Sequence, residues 1–132
     1  MKIPEFDVAG FDKATFAPFT LVDARRSEWK DVRLSFRGWE WLRATYGSDR
    51  IEDYYFNGYS VEALVKAVRL EAGMKPDAKG VVYNSECDSC YIHFDDFGEA
   101  VKSANLAAAM MNDREKLVQM IEFARKSGFD ES

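Results

Sequence analysis

Cys87-x-x-Cys90-x-x-His93 is the one spacing in this 132-residue chain that a scan for reactive groups would flag. A Cys-x-x-Cys pair does redox chemistry where a strand ends and a helix begins, because the helix N-terminus lowers the first thiol's pKa. The residues that follow, Tyr91-Ile92-His93-Phe94, read as a continuing strand, so that source of activation is missing. Structural zinc needs four ligands. With two Cys and one His in the whole chain, only a carboxylate such as Glu86 or Asp88 could complete a set. The expectation is therefore two reduced thiols near a hairpin turn, with no metal and no cofactor. His93 is the single histidine. As a general base it would need a nucleophile and an orienting partner, and no Gly-x-Ser-x-Gly elbow, His-Glu-x-x-His helix or Gly-rich phosphate loop accompanies it. The adjacent carboxylates Glu52-Asp53, Asp95-Asp96 and Asp130-Glu131 point apart on a helix or a strand, so none forms an acid/base dyad. No catalytic residue is assigned.

Charge is more informative. The chain carries 18 Lys+Arg against 23 Asp+Glu, a net charge of −5. Residues 1–50 hold nine basic and eight acidic residues, and residues 51–132 hold nine and fifteen. The stretch Gly80–Val101 contains Glu86, Asp88, Asp95, Asp96 and Glu99 and no Lys or Arg. Such a surface repels phosphate backbones, which argues against direct nucleic-acid binding, and it steers a basic protein toward itself. Glu86, Asp88, Asp95 and Glu99, with Tyr91 and His93 on the strand between them, are the candidate partner-binding residues. A solvated acidic face kept for solubility is the competing reading. The aromatic interval from Trp39 to Tyr59 likewise reads either as core or as a partner-facing patch.

These residues need elements to hold them. Val32–Arg37 alternates apolar and polar strictly, as a half-buried strand does. It follows a strand in the second half of Thr15–Val22, to which the charged segment from Asp23 to Asp31 joins it as a hairpin. Residues 1–14 read as an irregular arm or a short edge strand. Trp39–Tyr46 reads as a helix stopped at Gly47. Ser60 is the expected N-cap of a helix carrying Val61, Leu64, Val65, Val68 and Ala72. Val81–Ser85 and Cys90–Phe94 predict a tight hairpin around Glu86–Ser89. Asp96 with Glu99, then Asn112 with Glu115, predict the caps of two terminal helices. Hairpins first and helices last predict one α+β domain over residues 1–132: an antiparallel sheet of about four to five strands, helices on one face and a C-terminal helical pair. The longest uncharged run, Ser103–Asn112, is too short for a bilayer. The start, MKIPEFDVAG, lacks an apolar signal region, so the cytosol is the expected location.

Two stretches carry a resemblance. Phe56-Asn57-Gly58-Tyr59-Ser60-Val61-Glu62-Ala63-Leu64 is similar to the helix entry of small bacterial immunity proteins from polymorphic-toxin and contact-dependent growth-inhibition loci. Val82-Tyr83-Asn84-Ser85-Glu86, followed by Cys90-Tyr91-Ile92, looks like the same family's strand, turn and aromatic strand. The match runs over roughly residues 17–126 and differs in Asn84 for Asp, Val61 for Trp and an extra helix after Met111. The resemblance implies an α+β fold and a role without catalysis: binding a cognate protein toxin, here a basic nuclease domain. It carries over no site residue. Two other readings remain open, a small metal- or thiol-dependent protein using Cys87, Cys90 and His93, and an acidic adaptor or regulatory domain.

Overall fold

In the computed structural model, which describes residues 1–129, five strands form one antiparallel sheet against which helices pack. Its strands are β1 (Phe11–Asp12), β2 (Thr20–Ala24), β3 (Asp31–Phe36), β6 (Val81–Tyr83) and β7 (Cys90–Phe94), in the order β1-β2-β3-β7-β6. A separate two-stranded hairpin joins β4 (Arg50–Ile51) to β5 (Tyr54–Tyr55). The helices are α1 (Trp39–Tyr46), α2 (Gly58–Glu71), α3 (Phe97–Met111) and α4 (Arg114–Lys126). The α+β architecture with a C-terminal helical pair is the one the element order predicts. The acidic pair Asp130-Glu131 lies outside the described residues.

Period-2 alternation sorts the sheet. Leu21, Val32, Leu34, Phe36, Cys90, Ile92 and Phe94 point inward and are fully buried. Helices α2 and α3 cover them, and α4 lies against those two helices rather than against the sheet. One hydrophobic cluster runs through all of these elements. Deletion of a large buried side chain such as Leu64 or Ile121 there would cost roughly 2–5 kcal/mol. Arg33, Tyr91, His93 and Val82 alternate to the opposite sheet face and meet solvent to different degrees.

Several boundaries differ from the sequence reading. Helix α2 starts three residues earlier, with Asn57 rather than Ser60 as cap. Asn57 Oδ1 accepts from the Ser60 amide at 2.8 Å, and Ser60 Oγ accepts from the Asn57 amide at 2.7 Å. This reciprocal box satisfies two donors that a lone Ser60 cap would have left open. Helix α4 is capped by Asp113, whose carboxylate accepts from the amides of Glu115 and Lys116. Asn112 instead closes α3. The charged connection after Val22 begins later, because Asp23 and Ala24 still pair with Val32 and Asp31. Strand β6 stops at Tyr83. The β4–β5 hairpin went unpredicted; its turn holds Glu52 and Asp53 at φ 51° and 62°, where Asn-Gly would be the usual signal. Trp39–Tyr46, closed by Gly47 at φ 80°, and the Asp96 cap of α3 match the sequence reading.

Candidate functional site

Strand β7 organises the candidate residues into three groups. At its start, the turn Glu86–Ser89 sits on the N-terminus of α2. The Gly58 amide donates to the Cys87 carbonyl at 2.8 Å, and a Cβ on Gly58 would overlap the carbonyl oxygens of Glu86 and Ser89. Glycine is required here by close approach of two backbones. Trp39 Nε1 donates to the Asp88 carbonyl at 2.8 Å, so α1 grips the same turn. Glu86 and Asp88 project from it, exposed, with no ion pair to any described residue. The two stretches behind the family resemblance thus meet at one joint.

Along the middle of β7, Tyr91 and His93 stand on the open face with ring centroids 5.0 Å apart. Antiparallel pairing sets His93 opposite Arg33. Asp31 Oδ2 lies 3.1 Å from His93 Nδ1, while Asp31 Oδ1 accepts from Arg33 Nε at 3.0 Å. Arg33 Nη1 donates to the Tyr91 hydroxyl at 3.4 Å, and the guanidinium stands 5.7 Å from the ring of Trp29. The Tyr91 hydrogen bond, with Asp31 behind it, outweighs desolvation and raises the Arg33 pKa. Asp31 orients His93 as a carboxylate orients a general base, yet it is equally engaged by Arg33, and among the described residues no hydroxyl or thiol is bonded to the far side of the ring.

At the end of β7, Asp96 and Glu99 are employed internally, while the Asp95 carboxylate is exposed and makes no ion pair with any described residue. Asp96 Oδ2 accepts from the Glu99 amide at 2.8 Å as the cap of α3. The Asp95 amide donates to the Gly80 carbonyl at 2.9 Å, and its carboxylate fills the space a Cβ on Gly80 would need. Glu99 Oε1 lies 3.7 Å from Nη2 of Arg69, a residue with 0% exposure. Arg69 also donates to Ser103 Oγ at 2.5 Å and to the Lys75 carbonyl at 2.8 Å, leaving Nε without a partner among the described residues. Beside it, Tyr83 donates to the Pro76 carbonyl, and burial pushes its phenol up to about 12.

The acidic run is therefore divided. Glu86 and Asp88 are separated from Asp95 and Glu99 by a strand about 16 Å long. The reactive triplet is divided too. Cys90 is buried on the core face, with its thiol pushed up to about 12 by burial; His93 is on the open face, and Cys87 is exposed in the turn. Successive side chains of a strand alternate sides, so Cys90 and His93 cannot ligate one ion. Among the described residues no group of three His, Cys, Asp or Glu side chains is placed to hold a metal, and no helix is long and apolar enough to cross a membrane.

The chain matches no family model and no solved structure. Several residues of these groups went unnoticed in the sequence. Asp31 and Arg33 sit at outward positions of an alternating strand, a signal that was present, but their partner strand was not knowable. Arg69 lies beside Val68 on the buried stripe of α2, where a charged residue is the anomaly that could have marked it.

Proposed function

We propose that this protein is an immunity-type binding protein, which in the cytosol of the producing cell occludes a cognate toxin domain of basic character. The observation that carries this reading is the joint between Gly58 and the turn Glu86–Ser89. It holds the backbone rigid from the helix side while leaving Glu86 and Asp88 outward and unpaired among the described residues, with exposed Tyr55 and Tyr59 close by in sequence. Unpaired surface carboxylates attract a basic partner over a Debye length and speed encounter, while aromatic anchors lengthen the complex's lifetime. The resemblance noted in the sequence supports the same role.

The test is neutralisation. A toxin domain taken from the neighbouring gene and expressed alone should arrest growth, and co-expression of this protein should restore it; a neighbouring gene that encodes no toxin would overturn the reading. Binding kinetics measured across a salt series should show an association rate that falls as salt rises. Binding without restored growth would favour an adaptor role. A metal or thiol centre is a weaker alternative, because Cys87, Cys90 and His93 occupy three separate environments.

A further inference from the structure

Helix α1, the Asp49 loop, strand β5 and the turn before β7 line an open cleft of about 290 Å³, whose residues include Trp39, Arg43, Asp49, Tyr55, Cys87 and Asp88. We propose that this cleft is the docking point of a protein partner and receives one of its arginine side chains, stacked on Trp39 and paired with Asp49 and Asp88. The proposal deepens the toxin-binding reading and rests on it.

Charge complementarity argues for that occupant. The lining carries two carboxylates against one guanidinium, and Glu86 in the same turn adds a further acid. Neither Asp49 nor Asp88 makes a side-chain hydrogen bond or ion pair with any described residue, and Arg43 is paired with neither. Two carboxylates in one cleft repel each other, and an entering cation relieves this.

The wall is also prepared. Trp39 is held by its bond to the Asp88 carbonyl and by edge-on packing against Phe36 at 5.0 Å. Little freedom is then lost when a ligand stacks on it. Tyr55 already takes the Arg50 guanidinium at 5.1 Å, so this corner of the fold uses aromatic–guanidinium contact within the chain as well. Arginine fits better than lysine, because a planar guanidinium can lie on an indole and still donate two parallel hydrogen bonds to a carboxylate.

The experiment is an NMR titration of the full-length ¹⁵N-labelled protein with the capped tripeptide acetyl-Gly-Arg-Gly-amide. The Trp39 indole N–H should shift saturably while those of Trp29 and Trp41 stay in place. The Lys tripeptide should bind more weakly, and the Glu tripeptide should leave Trp39 unmoved. Asp49→Asn with Asp88→Asn should weaken the Arg tripeptide at least tenfold. Both substitutions leave the carbonyl that holds Trp39 in place, and an unchanged spectrum elsewhere confirms the fold. No shift at Trp39, an equal shift with Glu, or equal binding by the double variant would overturn the proposal. The same double variant measured against the toxin domain separates the two readings. Full toxin affinity in the variant sinks the cleft and spares the immunity role. Arginine binding by a protein that never engages the toxin does the reverse.

Discussion

The two ends of β7 carry the same kind of residue and use it in opposite ways. At the start, Glu86 and Asp88 hang from a turn held by backbone: the Gly58 amide, the Trp39 indole and the carbonyls they reach. Nothing in the fold depends on those carboxylates. At the finish, Asp96 caps a helix, Asp95 fills the space over Gly80, and Glu99 faces the buried charge of Arg69. There Asp96 and Glu99 are structural parts. A run of acidic residues is thus not one surface: geometry leaves Glu86 and Asp88 to the solvent and gives Asp96 and Glu99 to the chain's own donors, with Asp95 exposed between them. The turn is the part whose acids the fold does not use.

Five measurements break or sharpen that comparison. Arg69→Ala and Gly58→Ala should be the most damaging. The first removes the hydrogen bonds to Ser103 and Lys75, abandons Glu99 and leaves a void, costing about 3–5 kcal/mol. The second drives a methyl into two carbonyls and should cost about 3 kcal/mol. Urea denaturation reads both, and a loss below about 1 kcal/mol for either would mean that its end of the strand is held otherwise.

Thiol labelling comes next. Cys87 should react fully in the native protein at pH 8, while Cys90 waits for unfolding, because burial keeps it protonated up to about 12. Tyr83, also pushed up to about 12, acts in the same direction. Both groups are neutral acids favoured by the fold. Their contribution is complete below the ordinary values of 9.0 and 10.0 and disappears as pH rises toward about 12. Stability should therefore decline above about pH 9, and Cys90→Ala should reduce that decline; an unchanged alkaline limb would contradict the burial argument.

A smaller effect belongs to Asp96→Ala, about 1 kcal/mol for a lost N-cap, read as a lower melting temperature. The smallest belongs to Glu86→Gln with Asp88→Asn, within about 0.5 kcal/mol of the parent protein because the carboxylates are exposed and unpaired. Toxin association should slow in that variant while the melting temperature holds. Destabilisation comparable to Asp96→Ala would erase the distinction between the two ends.

The chain's local patterns determined a good deal unaided. Alternation in Val32–Arg37 assigned β3 and placed Arg33 outward, and the same period put Tyr91 and His93 on one face of β7. The apolar stripes of α2, α3 and α4 gave their core sides, and Asp96 announced the start of α3. These signals survive because a period of 2 or 3.6 and a cap three residues long are written within one segment. Where two local signals competed, contacts elsewhere chose. Ser60 and Asn57 both suit a cap, and Asn57 takes the role because Gly58 must press against the turn of β7. The hairpin of β6 and β7 was legible in the sequence, but the tertiary structure alone decided that the other edge of β7 pairs with β3, which brings Asp31 and Arg33 to His93. It alone buried Arg69, divided the acidic run and closed the cleft at Trp39. Each of these depends on which distant segments pair and in what register. That choice is made by the summed burial of the whole core, and no stretch of sequence carries it by itself.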